Sequence, residues 1–207
     1  MRFLLLVLLG CFAVGGSAGP VSCGPVLNEV MADPASDWDG DGTYSSRDDE
    51  WVEIYNPGPG DLDLDGVLIG DGDATPLIAL SGILEAEKHR LVTGGEAYAF
   101  QQANGWSSYG LRLGNDGDTV TLLQIVDGDT LLVDSYTYLN HEADDDRSSG
   151  RNPDGSPSWE LFDELNPYTG GLLPQGNGLP PTPGSENGGI PVAVQETSWG
   201  RVRMLYR

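Results

Sequence analysis

The chain has 207 residues, with 32 acidic side chains against ten basic ones and a formal net charge of -22. That balance excludes binding to a nucleic-acid backbone, which needs clustered Lys and Arg to displace counterions, and Lys88 is the only lysine. Self-repulsion between carboxylates accounts for solubility, while Asp residues at fixed spacing can do more by surrounding a cation.

The first eighteen residues read as a signal peptide. Arg2 gives a positive start, Phe3 to Val14 form an apolar run, and Gly16 and Ala18 occupy the small positions before a cut. A run of about 12 residues is well short of the ~20 that a helix needs to cross a bilayer, so no transmembrane span is expected in the mature chain. Leu8, Leu9, Gly10 and Cys11 offer a second layout, a lipobox that would anchor the protein through Cys11, although its apolar region then spans only Phe3 to Leu9. Cleavage after Ala18 leaves Cys23 as the single cysteine and no intramolecular disulfide. Either layout predicts a secreted or cell-surface protein.

Beyond the leader, short apolar or alternating runs are separated by Gly, Asp, Asn and Pro, with no long helical periodicity. Strands are predicted at Val26 to Met31, Trp51 to Asn56, Leu62 to Ile69, Leu77 to Leu80, Arg90 to Thr93, Leu111 to Leu113, Thr119 to Ile125 and Leu131 to Tyr138. In the second, Val52 and Ile54 share one face while Trp51, Glu53 and Tyr55 share the other; in the seventh, Val120 and Leu122 share a face. Turn chemistry at Asn56-Pro57-Gly58, Asn115-Asp116-Gly117-Asp118 and Asp127-Gly128-Asp129 supports an all-β sandwich or barrel.

Composition then shifts. Residues 24–155 are expected to form the sandwich, with 156–187 as its Pro/Gly-rich end or a linker. Residues 188–207 form a tail in which Trp199, Val202, Leu205 and Tyr206 interleave with Arg201, Arg203 and Arg207. Such a tail either docks on the protein's own acidic surface or serves as a sorting segment.

The most pointed motif runs from Asp37 to Asp48. Asp37, Asp39, Asp41 and Asp48 fall at positions one, three, five and twelve, Gly42 permits a sharp turn, Thr43 offers a carbonyl and Ser45 a hydroxyl. Alternating oxygen ligands suit Ca2+, and the segment resembles an EF-hand calcium loop, but Asp48 stands where a longer bidentate Glu is usual and the flanks read as strands. Asp33, Asp49 and Glu50 supply additional carboxylates nearby. The Asp61/Asp63/Asp65, Asp71/Asp73 and Asp144/Asp145/Asp146 groups read as solvated edges and turns.

No catalytic constellation emerges. Gly15-Gly16-Ser17-Ala18-Gly19 matches a nucleophile elbow only inside the leader, and His89 and His141 lack zinc-type spacing and read as surface residues. Among the tryptophans, Trp51 is expected in the fold interior, and Trp106 is the loop candidate for ligand contact, weighed against packing beneath its loop.

In order and spacing, several segments resemble the lamin tail domain family in its bacterial secreted form. They are Val26-Leu27-Asn28-Glu29-Val30 with Ala32-Asp33-Pro34, then Asp49-Glu50-Trp51-Val52-Glu53-Ile54-Tyr55-Asn56-Pro57, Leu62-Asp63-Leu64-Asp65-Gly66, Leu113-Gly114-Asn115-Asp116-Gly117-Asp118-Thr119-Val120-Thr121-Leu122, Val133-Asp134-Ser135-Tyr136 and Thr182-Pro183-Gly184-Ser185-Glu186-Asn187. The resemblance implies an immunoglobulin-like β-sandwich with a loop-rich C-terminal extension and no general catalytic apparatus. Val67 departs from the Trp that the family often carries after the preceding Gly, and without a heptad rod lamin-type filament assembly is not supported. The expectation is an exported, non-catalytic binding or display module, calcium-stabilised, for protein or glycan contact at the cell surface. Two alternatives are a metal-dependent hydrolase, or an accessory domain of one, using the same acidic cluster, and a structural envelope component.

Overall fold

The computed structural model describes residues 24–72, 75–107 and 109–188. The leader, Cys11, Cys23 and the tail from residue 189 onward lie outside the described residues. In chain order the elements are β1 (Val26–Met31), β2 (Trp51–Tyr55), β3 (Leu62–Asp63), β4 (Val67–Gly70), β5 (Pro76–Ala79), β6 (Ile83–Leu84), β7 (His89–Thr93), α1 (Gly94–Ala103), β8 (Gly117–Val126), β9 (Asp129–Leu139), β10 (Ser148–Arg151) and β11 (Trp159–Phe162).

A five-stranded antiparallel sheet, ordered β11-β10-β1-β2-β7, packs on a four-stranded sheet ordered β5-β4-β8-β9, and β3 pairs with β6 beside them. The architecture is the expected immunoglobulin-like sandwich. Alternation fills its centre: Val52 and Ile54 from β2 meet Val67 and Ile69 from β4 and Val120 and Leu122 from β8. Leu27 and Val30 both join this core although strict alternation would place them on opposite faces. A register shift between Leu27 and Glu29 supplies the extra residue of a bulge.

The large sheet is buried on its second face too. Met31, Trp51 and Phe162 are fully enclosed there, outside the sandwich core, in the company of Glu29 and Glu53. Residues 163–188 supply the cover, and β11 extends the sheet by pairing with β10.

Four expectations need correction. Leu62 to Ile69 is broken at Gly66, whose φ of +86° reverses the chain between β3 and β4. Leu111 to Leu113 is irregular, because Arg112 takes a φ of 54° and Leu113 N–H donates to Glu50 rather than to a ladder; both leucines still enter the core. A ten-residue helix, α1, was not signalled by periodicity, since its buried positions are Gly94, Ala97 and Gln101, too small or too polar to write an apolar stripe. Finally, neither histidine is superficial: His89 is half-buried, packs on Tyr55 and sits 2.8 Å from Asp154, and His141 is buried and packs on Tyr168.

Candidate functional site

The long β1–β2 connection carries the Asp37 to Asp48 motif, and its shape is set by short-range side-chain bonds to the backbone. Asp37 accepts from the N–H groups of Gly40 at 2.8 Å and Gly42 at 2.9 Å, Asp39 from Asp41 at 3.0 Å, and Asp41 from Thr43 at 2.7 Å. These are the local turns that Asp favours, and they wind the segment back on itself.

Two further carboxylates bind the coil to the domain. Asp49, fully buried at the entrance to β2, accepts from the N–H groups of Trp38 (2.7 Å), Asp39 (2.9 Å) and Ser45 (2.7 Å). Asp146, from the β9–β10 connection, accepts from Ala35 N–H, Ser36 N–H, the Ser36 hydroxyl and the Trp38 indole at 2.6 to 3.1 Å. Burial pushes the Asp146 carboxyl up, but the Ser36, Trp38 and Ala35 donors outweigh it and hold its pKa below the usual value. Trp38 in turn packs on Trp51, with ring centroids 6.2 Å apart. On the far side Gly94 N–H donates to Glu50 O and Gly95 N–H to Asp48 O, so the loop closes against the start of α1. A Cβ on Gly94 would run into the Arg47 carbonyl.

This folding brings Asp37, Asp39 and Asp49 together, each with an oxygen within 4.8 Å of the others. Oxygens bound to one Ca2+ at 2.3–2.6 Å lie at about such separations. Asp39 feels the crowding. The Asp41 N–H lowers its pKa, but burial and the charges of Asp41, Asp49 and Asp37 prevail and raise it overall. Asp41 and Asp48 do not join this trio. Asp41 is turned to Thr43 N–H, and Asp48 is held by the Arg47 guanidinium at 2.6 and 2.7 Å and by the Ser45 hydroxyl at 3.1 Å. The Arg47 bond lowers the Asp48 pKa despite some burial. Thr43 is exposed and Ser45 half-buried on the same coil.

A second trio is formed by Asp33, Asp144 and Asp145, and Asp146 N–H donates to the Asp33 carbonyl beside it at 2.9 Å. Burial raises the Asp33 pKa, and the charges of Asp145 and Asp144 add to it. Asp144 and Asp145 read as solvated turn residues in the sequence, and no local signal ties them to Asp33 more than a hundred positions away.

The other predicted contacts fare differently. Trp106 meets Phe100 edge-on at 5.2 Å and remains 39 % exposed, so it both packs on α1 and keeps part of its ring at the surface. Among the described residues, both histidines are committed to structure: His89 to Asp154, and His141 through Nε2 to the Pro174 carbonyl at 3.3 Å. No described helix is long and apolar enough to cross a membrane.

The family model described as Lamin Tail Domain matches residues 21–140, more than half of the chain. No curated protein and no solved structure matches it. The matched span runs through β9, and strands β10 and β11, which complete the large sheet, follow it.

Proposed function

This chain belongs to the lamin tail domain family, a non-enzymatic immunoglobulin-like fold, and from that premise we propose that it is an exported binding or display module whose β1–β2 loop is stiffened by calcium. The observation that carries the calcium part is the convergence of Asp37, Asp39 and Asp49 on a coil otherwise held by hydrogen bonds to carboxylates. A cation there would neutralise three clustered negative charges and lock a large surface loop to β2. Outside a cell, where calcium is abundant, even a site with a Kd of ~0.1–1 mM is usefully filled. The leader over residues 1–18 supports export to the surface or medium, where the loop would present a firm face to a protein or glycan.

The test is calorimetric titration of the mature chain with calcium, paired with melting curves in EDTA and in millimolar calcium. Saturable binding with a raised Tm is the expected result. Absence of both would overturn the calcium reading and leave an acidic binding module held together by hydrogen bonds alone. A calcium-dependent hydrolase would differ by turning over an ester or glycoside substrate once the ion is added.

A further inference from the structure

Residues 182–187 lie as a strap over the second face of the large sheet, bonded to side chains of β1, β2 and the β10–β11 turn. At its centre the hydrogens do not add up if every carboxyl is ionised. The Thr182 hydroxyl lies 2.8 Å from Glu29 Oε2 and 2.6 Å from Asn187 Oδ1. A hydroxyl has one hydrogen to donate, and a carboxylate or an amide oxygen has none. Turning the Asn187 amide round does not supply one. Its Nδ2 faces the carbonyls of Arg151 at 3.0 Å and Asn28 at 3.4 Å, and a flip would set its oxygen against both.

The neighbouring acids have no such shortage. Glu53, opposite Glu29 on β2, accepts from Asn28 Nδ2 at 2.9 Å and from Gly184 N–H at 2.6 Å. Asp154 accepts from Asn28 Nδ2 and Asn187 N–H and sits 2.8 Å from His89 Nε2. Both find donors only, which suits the ionised form. Glu29 is fully buried, and its other oxygen accepts from the Ser148 hydroxyl at 2.5 Å and from Thr182 N–H at 3.1 Å. Among the described residues the charged groups that bear on Glu29 and Glu53 are each other, Asp154 and His89.

We propose that Glu29 holds a proton on Oε2 while the strap is closed, donating it to Thr182 Oγ1 as Thr182 donates to Asn187 Oδ1, and that release of this proton opens the strap. When the Glu29 O–H bond breaks, the proton leaves to water and a buried carboxylate remains beside Glu53 and Asp154. One of the two Thr182 contacts is then oxygen against oxygen with no hydrogen between, and the closed state loses a bond as it gains an uncompensated charge. Burial raises the Glu29 pKa to about 7 against the pull of the Ser148 and Thr182 donors, and the Asp154 charge acts in the same direction as burial. The strap is therefore closed in acid and loosens as pH rises through that value. Its opening bares the face on which Gly150 and the Phe162 ring lie beside Asn187.

Carbon-13 NMR of the glutamate carboxyls in the unaltered chain, read together with amide exchange, tests this. Glu29 should still be protonated at about pH 5.5, where a free glutamate is ionised. Corrected for base catalysis, exchange at Thr182 and Gly184 should be at least about tenfold faster above the Glu29 midpoint than below it, with β8 amides unchanged. Glu29→Gln replaces the acid by an amide whose Nε2 can donate to Thr182 Oγ1 at any pH, so strap exchange should then vary by less than about twofold over the same range. A Glu29 already ionised at about pH 5.5 with Thr182 protected would overturn the proposal. So would strap exchange that does not follow the Glu29 midpoint, or that keeps its full pH dependence in Glu29→Gln. If that variant does not fold, the titration of the unaltered chain decides alone.

Discussion

Glu29 and Glu53 stand opposite each other on β1 and β2, and both turn their carboxylates toward one C-terminal segment. Thr182 N–H donates to Glu29 at 3.1 Å and the Thr182 hydroxyl lies 2.8 Å from its second oxygen, while Gly184 N–H donates to Glu53 at 2.6 Å. Ser148 and Asn28 donate to the same two side chains, and Asp154, bonded to His89 and Asn28, accepts from Asn187 N–H at 2.9 Å. The carboxylates thus fasten residues 182–187 over the second face of the large sheet.

That arrangement sets a pH dependence. Burial raises Glu29 to about 7, Glu53 to about 7 and Glu50 to about 8, from 4.5 in the free side chain. Groups that hold their protons more tightly when folded stabilise the fold below the unfolded pKa, and that contribution is lost as pH rises through the folded pKa. His89 acts in the same sense: burial lowers its pKa, but the Asp154 bond and the charges of Glu53, Asp154 and Glu29 raise it overall. The free energy of unfolding should therefore fall by at least about 2 kcal/mol between pH 4.5 and 8. Asp154, whose pKa burial raises but the His89 and Asn28 bonds bring below normal, reverses the trend in stronger acid. Urea melts at half-unit pH steps check this, and stability that rises steadily to pH 8 would contradict it.

The strap leaves no room at Gly150. A Cβ there would lie 2.7 Å from Asn187 Nδ2, 2.9 Å from Glu29 Cγ and 2.9 Å from the Phe162 ring. Gly150→Ala should cost about 1–3 kcal/mol by forcing the strap away from the sheet. Limited proteolysis after residue 163 should accelerate in this variant, which a uniformly softened fold would not single out.

Asp146 reaches across the molecule to the β1–β2 loop. Asp146→Ala removes the acceptor for four donors, including the Trp38 indole, and should cost about 1–3 kcal/mol in EDTA. Amide exchange at residues 35–38 should quicken more than exchange in β8, a contrast readable by mass spectrometry.

Neighbouring aspartates at the end of that loop divide the roles. Asp49→Asn should weaken calcium binding at least about tenfold, because its carboxylate closes the trio with Asp37 and Asp39. Asp48→Asn should change it by less than about twofold, since Asp48 is already engaged with Arg47. Calorimetric titration of both variants distinguishes this geometry from an EF-hand order of ligands, which predicts the opposite ranking.

The sequence by itself determined the strands whose side chains alternate, and with them the sandwich. Val52 and Ile54 against Trp51 and Glu53, or Val120 and Leu122 in β8, carry their two faces in a period of two, which depends only on the pleat. It also determined that Asp37 and Asp39 would curl together, since Asx-type turns act over two to five residues. Only the tertiary structure decided that Asp49 rather than Asp48 completes their group, because Arg47 and the entry into β2 settle which carboxylate turns inward. Likewise Ser148-Ser149-Gly150-Arg151 shows no apolar alternation, yet it is a buried strand because Glu29 and Glu142 receive its hydroxyls. The partners of Trp38 and Glu29 lie 108 and 153 residues away, and such pairings arise from how the sheets close, not from any pattern written along the chain.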